Sequence, residues 1–233
     1  MHLSIIVPIY NEVNILQKNL TNIYECFNDK YDFEIIVVND GSTDDSKKIL
    51  DNLKLPNLYV INNIKNFGKG YSLVKGISKS IGDIVLITDS DLSTPINEYF
   101  KLQERLKDNV DIIIGSRAMH DSNVKIKQNF IRILMGEIFN FFVRYILNLK
   151  YKDTQCGFKI FKGKVIRKIV KISRIMGFCI DVEILFLAKK FNLKVLEIGV
   201  VWSNDSTSTV NLFYDPIKMF FDLFKIRFKK YDK

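Results

Sequence analysis

Two aspartates separated by one residue, Asp89 and Asp91, follow the apolar run Ile84-Val85-Leu86-Ile87-Thr88. Alternate residues of an extended chain project to one side, so this spacing brings two carboxylates together where a strand ends. Like charges placed so closely require a cation, and Mg²⁺ or Mn²⁺ prefers oxygen ligands and often joins one or two protein carboxylates to substrate phosphates. A solvated turn with helix-capping acids would use the same residues, Ser90 included, without any cation. Asp40 ends a second apolar run, Val37-Val38-Asn39-Asp40-Gly41-Ser42, and should face the same rim. There it suits hydrogen bonds from a base or ribose, or the plainer task of capping a turn. Pro8, Tyr10, Asn11 and Glu12 close a first run, where a tyrosine ring can cover a nucleobase and a carboxylate can bind hydroxyls. Simple strand termination uses the same residue types. Asn66-Phe67-Gly68-Lys69-Gly70 offers glycines for close backbone approach and the Lys69 ammonium for phosphate. It has neither GxxxxGK[ST] nor GxGxxG spacing, which argues against a P-loop NTPase and a dinucleotide dehydrogenase.

These residues need elements that deliver them to one place. LSIIVPIY, EIIVVND, LYVINN, IVLITDSD and DIIIGSR read as strands separated by helix-length segments, the βαβ pattern of an α/β fold. Nearly continuous apolar strands suit a Rossmann-like, mostly parallel sheet covered by helices on both faces, where ligands bind beyond the carboxyl ends of the strands. Ser42, Thr43 and Asp44 offer caps for a helix after the second strand, and Thr94-Pro95 predicts another helix start. Beyond Arg117 the pattern predicts a long helix over 125–149, a strand at FKIF, a helix over 180–191, a strand at KVLEIGVVW and a C-terminal helix.

The chain of 233 residues suits one α/β domain, and 47% apolar with 26% charged residues excludes a disordered chain. The net charge of +9 favours a polyanion, an anionic membrane surface or phosphate-bearing substrates without choosing among them. The basic residues are spread along the chain with no nucleic-acid motif, so no nucleic-acid partner is expected. Cys26, Cys156 and Cys179 are odd in number and widely spaced, as in reduced thiols of a cytosolic compartment. The N-terminus has no basic segment or small-residue cleavage site and reads as a strand rather than an export signal.

Taken in order, VPIYNE, VNDGSTD, NFGKG, DSDLSTP, GSR and DTQCGFK resemble family 2 glycosyltransferases of the GT-A fold, over almost the whole chain. DSDLSTP, DTQCGFKIF and FCIDVEILFLAKK are most similar to dolichyl-phosphate glucosyltransferases and related polyprenyl-phosphate enzymes. The resemblance implies one GT-A domain over 1–233, with a nucleotide-sugar half (1–117) and an acceptor half with amphipathic helices (118–233). It implies nucleoside contacts from Pro8, Tyr10, Glu12 and Asp40, and a diphosphate and metal site at Asp89 and Asp91 with Ser90 between them. Phosphate-facing charge would come from Lys69 and Arg117, and a contact to the acceptor phosphate from Arg132. Asp153, Gln155, Asp181 and Glu183 fall in acceptor-side segments, where polar residues line the donor sugar or order loops. An acid pair favoured by a helix N-terminus would equally account for Asp181 and Glu183. Asp91, Arg117 and Asp181 are the residues the resemblance sets at the reacting groups. Two departures stand out. Membrane-bound relatives carry transmembrane helices not found here, so the chain corresponds to their catalytic portion. SNDSTSTV after Trp202 offers hydroxyls and an acid where relatives often place a basic residue.

Placed at 100° per residue, Ile131, Leu134, Met135, Ile138, Phe139, Phe141, Phe142, Tyr145 and Ile146 form one apolar arc, opposite Asn129, Arg132, Glu137, Asn140 and Arg144. In the C-terminal segment Lys218, Asp222, Lys225 and Lys229 share a face beside Met219, Phe220, Leu223, Phe224 and Phe228. The charges within 130–149 argue against a spanning helix. Such helices lie in a bilayer interface or pack on a core. With a lipid-phosphate acceptor, the expectation is peripheral attachment at the cytoplasmic face of a membrane. The reaction implied is inverting transfer of a hexose, with UDP-glucose as leading donor, polyprenyl or dolichyl phosphate as acceptor, and Mg²⁺ or Mn²⁺ as cofactor. A phosphomonoester with a second pKa of about 6 is already anionic near neutrality and needs no general base. Transfer to a sugar hydroxyl would need one, such as Asp153 or Asp181. GDP-mannose is the alternative donor, and a non-catalytic nucleotide-sugar-binding module would bind without turnover.

Overall fold

Every run read as a strand in the first half of the chain forms one in the computed structural model, which describes residues 1–106, 109–126, 130–203 and 214–231. The order there is β1 (His2–Ile9), α1 (Leu16–Phe27), β2 (Asp32–Asn39), α2 (Ser46–Asn52), β3 (Leu58–Asn62), α3 (Lys69–Lys79), β4 (Ile84–Ile87), α4 (Glu98–Gln103) and β5 (Ile112–Ser116). The second half continues with β6 (Asn123–Ile126), α5 (Phe130–Leu147), β7 (Lys159–Lys162), α6 (Gly163–Ile172), α7 (Ile180–Lys190), β8 (Val195–Gly199), β9 (Val201–Ser203) and α8 (Tyr214–Phe228).

Seven strands make one sheet in the order β3-β2-β1-β4-β7-β5-β8, parallel except for β7, and β6 pairs with β9 in a small second sheet. The main sheet is buried on both sides because its strands are apolar at nearly every position. Ile6, Ile36, Val38, Val85, Ile87, Ile114 and Phe161 face the layer that holds α3, α6 and α7. Their alternates Ile5, Val7, Ile35, Val37, Leu86, Ile113 and Ile160 face α1 and α4. Helix α1 meets them with Leu16, Leu20, Ile23 and Phe27, one stripe at helical spacing. Because β7 enters between β4 and β5, residues before and after 117 share one sheet.

Several boundaries differ from the sequence expectation. The helix expected over 125–149 begins at Phe130, after strand β6, and Asn129 lies outside the described residues. Helix α4 starts at Glu98 rather than at Thr94-Pro95, because the N–H groups of Glu98 and Tyr99 bond three residues back, to Pro95 and Ile96, in tight turns. Helix α6 was not anticipated: its lysines and arginine mask an apolar stripe of Ile166, Ile169 and Val170. The SNDSTSTV segment beyond Ser203 lies outside the described residues.

Helices α5 and α8 pack on each other, with Phe142 and Phe220 edge to face at 5.0 Å. The arc of α5 divides. Phe139, Phe142 and Ile146 pack toward the core, while Leu134, Ile138, Phe141 and Tyr145 stay exposed. On α8 the polar face drawn through Asp222 is corrected: Asp222 is buried, its charge met by Lys225 at 2.7 Å, and Phe221, Phe224 and Phe228 are exposed instead. Helix α8 turns Leu223 and Ile226 to the core, and that rotation carries Asp222 inward with them. Among the described residues no helix is long and apolar enough to cross a membrane.

Candidate active site

The parallel strands bring their carboxyl ends to one rim, and the chemistry-bearing residues gather there. Asp89, two residues beyond β4, is about a third exposed, and its Oδ1 accepts a hydrogen bond from Lys69 Nζ at 2.6 Å. The same ammonium stands 4.0 Å from Asp181 Oδ2, at the start of α7. Asp181 Oδ1 in turn accepts from Lys159 Nζ at 2.5 Å, and Lys159 also donates to the Cys156 carbonyl. Charges therefore alternate along Asp89, Lys69, Asp181 and Lys159, and the last two are buried almost completely. Burial alone would lower the Lys69 pKa, but Asp89 and Asp181 outweigh it and the ammonium is held well above its ordinary range. Burial likewise opposes the Asp89 charge, while Lys69, followed by Lys159 and Arg117, brings its carboxyl below the usual range.

A second pair lies beside the first. Arg117, just past β5, grips Asp153 through Nε at 2.7 Å and a terminal nitrogen at 2.9 Å, and its backbone N–H donates to the same carboxylate. The guanidinium also lies 5.4 Å from the Trp202 ring centroid, within reach of a cation–π contact. Burial disfavours the Asp153 carboxylate, yet Arg117 holds its pKa at about 2. The backbone N–H groups of Gln155 and Cys156 cap Asp153 as well. Gln155 Nε2 is buried with no hydrogen-bond partner among the described residues, so an acceptor on a bound molecule would satisfy it.

Ser90, in the turn that follows β4, donates to Glu12 at 3.0 Å, which ties the ends of β1 and β4 together. Asn11 has positive φ and brackets Ser42, Thr43 and Asp44, fixing the turn after β2. Asp40 accepts from Asn63 Nδ2 and from the backbone N–H groups of Phe67 and Gly68. Three donors leave its carboxylate about one acceptor site for a base or ribose. Pro8 and Tyr10 lie half-buried at the end of β1. Arg132, in the first turn of α5, is half-buried.

The glycine loop does something other than what its composition suggests. Gly68 has φ of 102°, and a Cβ there or at Gly70 would lie 2.6 Å from the carbonyl oxygen of Met176 or Ile175. The Tyr71 N–H donates to Met176 O, so the start of α3 packs against loop 174–177, and the close backbone approach is to protein. Glu183 holds that loop by accepting from the N–H groups of Arg174 and Ile175 and from the Tyr231 hydroxyl at 2.7 Å. Its role here is to order a loop.

Gly157 and Lys159 escaped the sequence reading. A Cβ at Gly157 would fall 1.9 Å from Asp89 Oδ2, so this glycine keeps open the space that the carboxylate fills. Gly157→Ala is expected to swing the partly exposed Asp89 side chain away and cut turnover about tenfold or more with the melting temperature nearly unchanged. Steady-state rates beside a melting curve test this, and a parental rate would show that the Asp89 orientation is immaterial. Lys159 was legible: FKIF places it on the same strand face as Phe161, inside the core, where a lysine must find an acid.

Asp89 and Asp91 could give a divalent cation two carboxylates at most. Asp89 and Asp91 are hard oxygen donors, but the described residues hold no group of three or more His, Cys, Asp or Glu able to bind a metal unaided. Such a pair leaves most of the coordination sphere for substrate oxygens, which suits Mg²⁺ or Mn²⁺ carrying phosphates. An open cleft of about 580 Å³ between α1 and Leu92–Asn97 shares only Asp91 with the site, so the charges rather than that cleft define the rim.

The family model described as Glycosyl transferase family 2 matches residues 4–170. The dolichyl-phosphate beta-glucosyltransferase of Dictyostelium discoideum is 33% identical across 98% of this chain and 75% of the relative. The human dolichyl-phosphate beta-glucosyltransferase is 29% identical across 97% and 75%. Among solved structures, glucosyl-3-phosphoglycerate synthase from Mycobacterium tuberculosis, in complex with Mn²⁺, UDP-glucose and phosphoglyceric acid, superposes with a TM-score of 0.65 at 14% identity, covering 96% of this chain and 77% of that one. Mannosyl-3-phosphoglycerate synthase from Rubrobacter xylanophilus gives 0.69 at 17% identity, covering 97% and 72%. At such identities the likeness concerns the fold, which is GT-A.

Proposed function

Because this chain belongs to glycosyltransferase family 2, we propose that it transfers glucose from UDP-glucose to the phosphate of a dolichol or other polyprenol, with inversion at the anomeric carbon. The names of the relatives supply the sugar and the lipid class. The observation that carries the acceptor assignment is that both candidate bases are committed to cations, Asp181 to Lys159 and Asp153 to Arg117, which leaves each a countercharge. A hydroxyl acceptor would need such a base, whereas a phosphate monoester with a second pKa of about 6 arrives as an anion.

Asp89 and Asp91 would hold Mg²⁺ or Mn²⁺ there. When bound, that ion neutralises the charge of the departing diphosphate. The protein's own groups do the rest. The Arg117 guanidinium, immobilised by Asp153 and the Trp202 ring, offers its remaining donors toward the rim and sets an anionic oxygen against the sugar carbon. Gln155 Nε2 supplies an unspent donor to the sugar or the acceptor. Pro8, Tyr10, Glu12 and Asp40 frame the nucleoside, with the Glu12 to Ser90 bond keeping that side in register with Asp89. Residues 1–117 would supply most donor contacts and 118–233 most acceptor contacts, with Arg117 at their border turned to the acceptor.

The exposed row Leu134, Ile138, Phe141 and Tyr145 on α5, beside Phe221, Phe224 and Phe228 on α8, would rest in the interface of the cytoplasmic leaflet, where a lipid phosphate must be met. Purified protein with Mn²⁺ and radiolabelled UDP-glucose or GDP-mannose, offered polyprenyl phosphate, an oligosaccharide, both or neither, tests the whole reading. Labelled lipid is expected from UDP-glucose alone. Label appearing only on a saccharide hydroxyl, or only from GDP-mannose, would overturn the acceptor or the donor assignment respectively.

A further inference from the structure

We infer that Lys69 is a built-in stand-in for the divalent cation: it rests on Asp89 until cation and diphosphate arrive together, then passes to Asp181, which Lys159 holds ready to receive it. The inference rests on the metal reading of Asp89 and Asp91 and adds an order of events to it. The Lys69 ammonium lies 2.6 Å from Asp89 Oδ1 and 4.0 Å from Asp181 Oδ2. A displacement of about 1 Å would make the second contact an ordinary charge-assisted hydrogen bond.

The parts around Lys69 are arranged for that exchange. Its backbone cannot move, because Gly68 and Gly70 are packed against the carbonyls of loop 174–177. Its four-carbon stem is flexible and about a sixth of the side chain is exposed. Asp181 stays put, because Lys159 grips its other oxygen at 2.5 Å and is itself anchored on the Cys156 carbonyl. With Lys69 on Asp89 the five groups Asp89, Asp91, Lys69, Asp181 and Lys159 carry a net charge of −1, and a divalent cation alone takes them to +1. A bare divalent cation must expel an ammonium from the carboxylate and leave excess positive charge in a partly buried site. A cation that brings a diphosphate carries compensating negative charge, and the same substrate oxygens complete its coordination. Metal affinity and nucleotide affinity are therefore coupled, and by linkage the coupling runs both ways.

Lys69→Gln tests this directly, because it removes the competing ammonium and leaves Asp181 paired with Lys159. Mn²⁺ binding is read from the electron paramagnetic resonance signal of the free ion, without nucleotide and with UDP. The variant is expected to bind Mn²⁺ alone about tenfold more tightly than the parent, the scale of one charge-assisted hydrogen bond no longer displaced. UDP should strengthen Mn²⁺ binding strongly in the parent and much less in the variant. Lys69→Met, which keeps length without a polar end, is expected to give the same order. Equal or weaker binding of Mn²⁺ alone by both variants would overturn the stand-in role while leaving the metal site in place. If neither parent nor variants take up Mn²⁺ even with UDP, the metal reading falls and the inference with it.

Discussion

Asp89→Asn is expected to lower turnover about a thousandfold, with folding and melting behaviour close to those of the parent, and Asp91→Asn to do nearly the same. The size follows from removing charge where a diphosphate's leaving charge must be balanced in a partly enclosed site, the kind of contribution that dominates such reactions. The mildness for the fold follows from position. Asp89 is about a third exposed, and Lys69 keeps Asp181 within 4.0 Å when Asp89 loses its charge. Asp91 accepts from the N–H and hydroxyl of the neighbouring Ser93, and asparagine retains an acceptor for the Ser93 N–H. Rates at saturating donor and acceptor, taken beside calorimetric uptake of Mn²⁺ with UDP, make the comparison. Turnover within threefold of the parent for both variants would reduce the acidic pair to a turn and remove the basis of the proposed chemistry.

The largest effect on stability is expected from a residue outside that pair. Lys159→Met should destabilise the protein by about 3–5 kcal/mol, the usual consequence of stripping one partner from a buried ion pair. Lys159 is fully buried and Asp181 nearly so, and what remains for the carboxylate is Lys69 at 4.0 Å, already committed to Asp89. Lys159→Met combined with Asp181→Leu should recover most of the loss, since exchanging both members for apolar groups is often neutral. The double variant should still turn over slowly, because the berth beside Lys69 is gone. Denaturant unfolding of the three proteins measures the stability. A single variant within about 1 kcal/mol of the parent would mean that water or another group reaches Asp181 and that the pair contributes little.

Much of the scaffold could be read from local pattern. Continuous apolar runs such as Ile84–Ile87 announce strands buried on both faces, and strand ends in an α/β sheet point to the rim where Asp89, Asp40 and Glu12 do lie. Asp89 and Asp91 lie beyond β4 in a turn closed by the Leu92 N–H on the Asp89 carbonyl, where Asp89 meets Lys69 and Asp91 meets Ser93, so the turn rather than strand alternation sets their directions. Other features were invisible for definite reasons. Four residues of β7 carry no mark of direction, so neither its antiparallel course nor its place between β4 and β5 could be inferred from Lys159–Lys162. Gly68 and Gly70 looked like a phosphate cradle because glycine reports close approach without saying to what, and here it is loop 174–177. Asp222 looked solvent-facing because helical periodicity fixes which residues share a side, whereas packing decides which side turns inward.

The amino-acid order by itself determined the βαβ plan, the rim, and the residue types delivered to it, since each depends on periods of two or about four residues that are local to the chain. Only the tertiary structure decided who neutralises whom. Lys69 meets Asp89 across 20 positions, Lys159 meets Asp181 across 22, and Arg117 meets Asp153 across 36. Those pairings follow from which strands lie side by side and which loops close over them. A carboxylate's chemistry is set by the cation it faces, so a property carried by single residues in the chain became a site only when distant segments were brought within 3 Å of each other.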